Sequence, residues 1–181
     1  MDVPSFYIGK FPITNEQFEA FQPGFERLAV SGPDSQPAVG ISFDEALAFC
    51  FWYAEISRKP MRLPTEIEWE YACGATAVSR GPFDQGGDSA DDYAWDASNS
   101  GGICPPLAEK RANDFGLYGM LGGVWEWTST EARAAPGDRR RILKGGSFRT
   151  QPSRISCSVR RQGRPDLKQD DVGFRIVRSF P

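Results

Sequence analysis

Turn-forming residues set the strongest limit on how much of this chain forms regular structure. The 181 residues include 19 glycines and 14 prolines, about 18% of all positions against roughly 12% in average proteins. The share of hydrophobic residues, 40%, is still that of a soluble globular chain. At this length we expect one domain, residues 1–181, in which short helices and strands are joined by many loops.

Three segments carry the pattern that starts a helix. Residues 14–17, 42–45 and 65–68 each place a serine or threonine three positions before a glutamine or glutamate, as in a capping box. Apolar residues recur at helical spacing after the second start, which predicts an amphipathic helix that ends near residues 59–60. The third start predicts a short helix through Tyr71.

The pattern changes after residue 74. Residues 74–116 are rich in Gly, Asp, Ser, Asn and Pro, which predicts a long ordered loop region. The aromatic side chains expected to anchor it are Phe83, Tyr93 and Trp95. The strand candidates are residues 123–128, 141–144 and 172–177. Apolar residues alternate with others in the last of them, which predicts a half-buried strand, and the whole pattern indicates an α+β fold.

Histidine is absent from the sequence. Hydrolases that need an imidazole base, three-histidine zinc sites and two-histidine iron sites are therefore excluded. The four cysteines, Cys50, Cys73, Cys104 and Cys157, show no CxxC spacing, so a zinc knuckle is not expected. The residues by themselves favour reduced and mostly buried thiols.

Targeting signals and membrane spans are not visible in the sequence. The N-terminal residues lack a basic start followed by an apolar run. No apolar stretch approaches the ~18 residues that a membrane span requires. We therefore expect a cytoplasmic protein without a membrane span.

Charge is distributed unevenly along the chain. Residues 1–130 carry 8 basic and 19 acidic side chains, whereas residues 131–181 carry 13 basic and 5 acidic ones. A cationic C-terminal quarter suits an anionic ligand, but packing against the acidic part of the same chain explains it too, and the near-neutral total favours packing. No nucleic-acid-binding motif accompanies the basic residues, so nucleic acid is not an expected partner.

Four strings in the sequence resemble one enzyme family. They are MRLPTEIEWEYA at 61–72, NDFGLYGMLGGVWEWT at 113–128, LKGGSF at 143–148 and GFR at 173–175. Their order and spacing resemble those of the formylglycine-generating enzyme (sulfatase-modifying-factor) family, and YIGKFPITN at 7–15 is similar to its first strand and helix start. The resemblance implies a C-type-lectin-like fold with two main helices, a small twisted antiparallel sheet, extended loops and adjacent chain ends.

The resemblance does not carry over the family's redox chemistry. Family members that oxidise a substrate cysteine bind copper through two cysteines just after the Gly-Gly-Ser motif. Residues 148–156 contain no cysteine, and Cys157 stands alone. The iron-dependent branch of the family uses three histidines, which this sequence lacks. Cysteines at similar family positions form a structural bridge, which leaves a Cys73–Cys157 bridge open beside the reduced state.

The resemblance also implies a calcium site around the Trp-Glu-Trp string. Glu126 matches the family's glutamate ligand, and the carbonyls of Gly122 and Val124 fit as further ligands. Gly119 and Gly123 stand where the family usually has side-chain oxygens, which weakens a site for a hard cation. The alternative is that Glu126 accepts hydrogen bonds from backbone or arginine donors in the core. No other cofactor is expected.

The remaining branch of the family consists of binding proteins, including variable proteins diversified by retroelements. Pro152, Arg160, residues 165–166 and residues 173–175 match their spacing from Ser147 without a gap. The ligand positions in those proteins correspond to Arg149, Thr150, Gln151, Ser153, Arg154, Arg161, Gln162, Gly163, Arg164, Leu167 and Lys168. Several of these side chains are long and cationic, which suits a negatively charged or polar protein patch. The segment has no Asn or Tyr, which favours a fixed relative over a diversified receptor.

These features favour a non-catalytic binding module that recognises a protein or other macromolecular ligand through residues 149–171. The alternative is an enzyme or enzyme accessory of the same family with altered, non-copper chemistry. The oligomeric state stays open.

Two further groups of residues are assigned structural roles. Large aromatics supply burial in a chain rich in loops, and the residues expected in the core are Trp69, Trp125 and Trp127. Carboxylates near a helix start favour its dipole and cap, and the residues expected to do so are Glu66, Glu68 and Glu70.

Overall fold

The three longest helices of the described residues lie in the first half of the chain. A computed structural model describes residues 3–74, 90–133, 135 and 137–180. The α-helices are α1 (Asn15–Phe21), α2 (Phe43–Ser57), α3 (Glu66–Gly74) and α4 (Ala90–Tyr93), and short 3-10 helices occupy Leu107–Glu109 and Pro152–Arg154. Phe83, one of the expected loop anchors, lies outside the described residues. Over the described ranges, the helices are too short or too polar to cross a bilayer.

Capping explains where the main helices begin. The Thr14 hydroxyl accepts a hydrogen bond from the Gln17 amide (3.4 Å), and the Gln17 side chain accepts one from the Thr14 amide (3.0 Å). The same reciprocal pair forms at the start of α2, which ends where Arg58 takes a left-handed conformation with a φ of 56°. The predicted helix starts are confirmed, and α3 extends beyond its predicted end to Gly74.

In the described part of the chain, six short strands form two sheets. They are β1 (Phe6–Ile8), β2 (Trp125–Glu131), β3 (Arg141–Lys144), β4 (Arg160–Gly163), β5 (Val172–Gly173) and β6 (Val177–Ser179). β1 pairs antiparallel with β6, with Phe6 opposite Ser179, so the two ends of the described chain lie side by side. The second sheet has the order β4-β3-β2-β5, in which β5 runs parallel to β2 and the other pairs are antiparallel.

The predicted half-buried strand at 172–177 is wrong in two respects. The structure has β5 and β6 there, separated by three residues. Every residue from 171 to 177 is buried, rather than every second one. The segment 9–13 covers the side that a strand at a sheet edge would expose, and the Ile13 amide donates to the Phe174 carbonyl at 2.8 Å. The other two strand predictions agree with β3 and, within three residues, with β2.

The main core lies between α1, α2 and the four-stranded sheet. Phe18 of α1, Phe49 of α2 and Phe174 meet there with ring centroids 5.4–6.1 Å apart. A second cluster surrounds Trp69 of α3. The expected burial of tryptophan is confirmed for Trp69, Trp125 and Trp127. Aromatic burial therefore supplies much of the apolar contact that short strands and helices cannot provide.

The loop between α4 and β2 is fixed through the backbone of Trp95. This residue pairs with Gly122 in an isolated β-bridge, and its carbonyl accepts a hydrogen bond from the Gly123 amide at 2.9 Å. Trp95 therefore fixes the loop through its main chain, and anchoring by its side chain stays a prediction.

Candidate functional site

The candidate ligand surface, residues 149–171, follows a glycine turn at the end of β3. Gly145 and Gly146 have φ angles of 98° and 81°, which residues with a side chain rarely adopt. A Cβ on Gly145 would lie 3.1 Å from the Trp69 ring. The turn therefore packs against α3 because position 145 is glycine.

Hydrogen bonds hold the two ends of the candidate ligand surface together. The Ser147 hydroxyl donates to Asp171 Oδ2 at 2.8 Å, and the Ser147 amide donates to the Thr150 hydroxyl at 2.9 Å. The surface is also tied to the start of α2, since the Phe43 amide donates to the Pro165 carbonyl at 2.9 Å. The side chains are thus presented from a backbone with fixed partners.

A disulfide fastens the middle of the candidate ligand surface to α3. Cys73 and Cys157 are bonded, with their Cα atoms 5.6 Å apart. The expectation of reduced thiols is wrong for these two residues, because the chain after β3 folds back onto the last turn of α3. Cys50 and Cys104 are free and buried, as predicted. Burial raises the pKa of each of these two thiols to about 12, so no cysteine of the chain presents a reactive thiolate.

The predicted ligand positions differ in exposure. The exposed side chains are Arg149, Gln151, Ser153, Arg154, Gln162, Arg164 and Lys168, and the half-buried ones are Thr150 and Arg161. Leu167 packs against the main core instead. Gly163 is buried, and a Cβ there would lie 2.7 Å from the Trp127 ring. The prediction that Gly163 and Leu167 contact a ligand is therefore wrong. Both residues have structural roles, because β4 and the turn after it pack directly on the sheet core.

Acidic neighbours pair with most cations of the candidate ligand surface. The pairs are Arg149–Asp170 at 2.5 Å, Lys168–Glu45 at 2.6 Å and Arg164–Asp166 at 3.4 Å. The Arg161 guanidinium lies 3.9 Å from Asp171 and donates to Gln169. Within the described ranges, Arg154 has no ion-pair partner. The cationic C-terminal quarter is therefore largely neutralised inside the chain, in agreement with packing as the explanation for its charge.

Glu126 binds an arginine in the core. Its carboxylate oxygens accept from Arg175 Nε at 2.7 Å and Nη2 at 2.8 Å, and from Trp69 Nε1 at 2.7 Å. Glu126 and Arg175 are fully buried. A guanidinium at this position repels a cation and occupies the oxygens that a metal would need. The implied calcium site with the Gly122 and Val124 carbonyls does not fit these residues, and the alternative with arginine donors is the one observed.

A second buried charge is missing from the sequence-based predictions. Lys144, at the end of β3, is fully buried, and its ammonium lies 2.5 Å from a Glu70 oxygen and 3.7 Å from a Glu66 oxygen. The helix-start prediction is confirmed for Glu68, whose carboxylate accepts from the Thr65 amide at 2.8 Å while its own amide donates to the Thr65 hydroxyl. Glu66 also lies in the first turn of α3, as predicted, and both Glu66 and Glu70 lie beside the Lys144 ammonium. No local sequence pattern signals this pairing.

Comparison with known protein families supports the resemblance in the motifs. The family model described as "Sulfatase-modifying factor enzyme 1-like domain" matches residues 1–180. "Inactive C-alpha-formylglycine-generating enzyme 2" of Bos taurus is 31% identical over 163 residues, which cover 78% of this chain and 50% of that protein. "Formylglycine-generating enzyme" of Bos taurus is 32% identical over 181 residues, which cover 81% and 46%. The chain spans about half the length of the curated relatives it matches.

Solved structures share the fold. "Treponema denticola variable protein 1" superposes with a TM-score of 0.84 at 22% identity, over 97% of this chain and 84% of that one. PvdO from Pseudomonas aeruginosa gives a TM-score of 0.83 at 21% identity, over 97% and 80%. The fold is α+β and C-type-lectin-like, of the formylglycine-generating-enzyme type, as predicted.

Proposed function

The chain belongs to the sulfatase-modifying factor enzyme 1-like domain family, and within that family we propose that it is a non-catalytic binding module for a protein or other macromolecular ligand. Its ligand contacts come from the candidate ligand surface. One observation carries the proposal: exposed polar side chains project from a backbone that hydrogen bonds and a disulfide hold in place. Such preorganisation lowers the entropic cost of binding.

The state of the cysteines supports a role without copper oxidation. Copper-dependent oxidation of a cysteine needs accessible thiolates, and every cysteine here is either bonded or buried with a raised pKa. A relative that is 31% identical also bears the name of an inactive formylglycine-generating enzyme. Both observations support binding rather than oxidation as the function of this domain.

The exposed arginines of the candidate ligand surface indicate what kind of partner it binds. Arg154 is exposed without an ion-pair partner in the described part of the chain, while Arg149 and Arg164 sit in exposed pairs. Exposed ion pairs contribute little to stability, so these arginines can exchange their carboxylates for those of a partner. We therefore assign a polar protein patch that carries acidic side chains as the ligand.

The test replaces three exposed arginines of the surface with alanine: Arg149, Arg154 and Arg164. Arg161 is left in place because it is half-buried and lies 5.8 Å from the Trp125 ring centroid. The matched control replaces three exposed cations elsewhere: Lys59, Arg133 and Arg139. Partners are captured from a lysate of the cells that make the protein, identified by mass spectrometry, and their dissociation constants measured with purified components.

We expect the surface variant to bind the captured partner at least about tenfold more weakly, and the control variant to bind within about twofold of the unmodified chain. Equal binding by the surface variant overturns the assignment to residues 149–171. Oxygen consumption measured with copper(I) and a cysteine peptide tests the non-catalytic part. Uptake that requires the protein, above a protein-free copper control, overturns that part.

A further inference from the structure

A cleft beside α1 and α2 has its own chemistry. It has a volume of about 500 Å³ and lies between residues 9–14, α1 and α2. None of its lining residues belongs to residues 149–171. Whatever binds there is therefore independent of the proposed function.

Four aromatic side chains line part of the cleft. Phe11, Phe49, Trp52 and Tyr53 line it, and the Phe49 ring lies 5.4 Å from Trp52 and 6.0 Å from Tyr53. Trp52 and Tyr53 are half-buried. The volume falls in the range of sites that enclose small molecules, roughly 300–1,000 Å³. Aromatic side chains in a cleft favour a guest that contains a ring system.

The charge in the cleft lining is positive. Lys10 lines the cleft, and the lining includes no aspartate or glutamate. The Lys10 ammonium lies 5.2 Å from the Tyr118 ring centroid and 5.6 Å from that of Phe11. In the ranges that the structure describes, no carboxylate pairs with it. Ring faces attract a cation but do not neutralise it, so the ammonium keeps its capacity to bind an anion.

The cleft lining also includes hydrogen-bond donors that have no acceptor in the described part of the chain. The Gln17 side-chain oxygen is already used by the Thr14 amide, which leaves its NH₂ group as a donor. Neither the Trp52 indole nor the Tyr53 hydroxyl has a hydrogen-bond partner among the described residues. Unused donors beside an unpaired ammonium favour a ligand that brings acceptor oxygens.

From these features we infer that the cleft binds a small aromatic monoanion, a ring system that carries one carboxylate or sulfonate. The ring packs between Phe11, Trp52 and Tyr53, and the anionic group binds Lys10 at the edge. The aromatic wall supplies most of the affinity, and the lysine supplies the selection for charge.

The test uses a matched pair of fluorescent probes. The anionic probe is 8-anilinonaphthalene-1-sulfonate, and the neutral probe is N-phenyl-1-naphthylamine, which lacks the sulfonate. Three variants are compared with the unmodified chain. Lys10→Gln removes the charge, Ala20→Trp fills the cleft from the exposed side of α1, and Ala48→Trp places the same ring on an exposed part of α2 that does not line the cleft. Urea unfolding confirms that each variant is folded.

We expect saturable one-to-one binding of the anionic probe. Ala20→Trp should weaken binding of both probes at least about tenfold, and Ala48→Trp should leave both within about twofold. Lys10→Gln should weaken the anionic probe about fivefold and leave the neutral probe unchanged. Binding that survives Ala20→Trp overturns the site. If Lys10→Gln changes the dissociation constants of the two probes equally, the selection for an anion is overturned. The cleft is then an apolar docking face without charge selection.

Discussion

Glu126 and Arg175 form one buried ion pair that also binds residues 9, 69 and 118. Beyond the two bonds to Glu126, the Arg175 guanidinium donates to the carbonyls of Gly9 (3.0 Å) and Tyr118 (2.9 Å). Trp69 of α3 donates to the same carboxylate. A buried pair is costly to break from one side, because the remaining charge stays in a low-dielectric site without its partner.

Arg175→Met should destabilise the protein by about 3–5 kcal/mol, because it leaves the Glu126 carboxylate buried and unpaired. The double variant with Glu126→Gln should recover part of this loss, since the glutamine is neutral and still accepts from Trp69. Urea unfolding of the single and double variants measures both effects. A loss below about 1 kcal/mol for Arg175→Met would contradict the role assigned to the pair.

Alanine substitutions at Gly122 and Gly116 distinguish the cost of backbone strain from the cost of a steric clash. Their φ angles are 70° and 74°, so alanine costs about 1–2 kcal/mol of strain at either position. A Cβ on Gly122 would lie 1.8 Å from the Trp95 carbonyl oxygen, whereas one on Gly116 meets nothing within 4 Å. Gly116→Ala should therefore lower stability by about 1 kcal/mol and Gly122→Ala by several times more. Equal urea midpoints for Gly116→Ala and Gly122→Ala would show that the Trp95 carbonyl moves away from the new Cβ at little cost in stability.

At the scale of elements, the start of α3 combines a cap with an ion pair. The Glu68 carboxylate accepts from the Thr65 amide at 2.8 Å and from Arg62 at 2.6 and 2.7 Å. Burial by itself raises the pKa of Glu68, but the hydrogen bonds from Arg62 and Thr65 outweigh it and hold that pKa below its ordinary value of 4.5. The ionised form is therefore the one that stabilises α3.

The stability contributed by Glu68 should be complete above about pH 4.5, the unfolded-state value, and should be lost as the pH falls through the lower folded-state pKa. The Glu68→Gln variant should be less stable at pH 7 and should lose less stability between pH 5 and pH 3 than the unmodified chain. Urea midpoints across this range measure the difference. Glu55→Gln, at an exposed position of α2, is the control and should follow the unmodified profile.

At the scale of the whole molecule, the acidic and basic parts of the chain fold onto each other. Ion pairs across this division are Lys144–Glu70, Arg160–Glu66, Lys168–Glu45 and Arg175–Glu126. The Cys73–Cys157 bridge crosses it as well, with a separation of 84 residues. The C-terminal quarter is thus held to the rest of the chain by charge and by a covalent link.

Replacing both bridge cysteines, Cys73→Ser with Cys157→Ser, should lower the free energy of unfolding by about 3 kcal/mol, because the bridge closes a long loop in the unfolded chain. The unmodified chain should lose a similar amount in dithiothreitol, and the double variant should not respond to it. A stability of the unmodified chain that is independent of reductant would show that the bridge does not form in solution.

The bridge also bears on the expected cytoplasmic location, because glutathione and thioredoxin keep cytosolic thiols reduced. Acid quenching of the cells that make the protein, followed by alkylation and mass spectrometry, measures the oxidation state of Cys73 and Cys157 in place. A cytoplasmic protein should show both thiols alkylated, whereas a protein in an oxidising compartment should show them bonded.

Local chemistry within the sequence determined the helix starts, the high loop content and the exclusion of histidine-based sites, because each depends on residues a few positions apart. The tertiary structure alone decided which charges are neutralised, which cysteines are bonded and which predicted ligand positions face solvent. Glu126 meets Arg175 across 49 residues and Lys144 meets Glu70 across 74. Electrostatic and packing partners at such separations are set by how the sheet and α3 come together, and no short-range pattern encodes them.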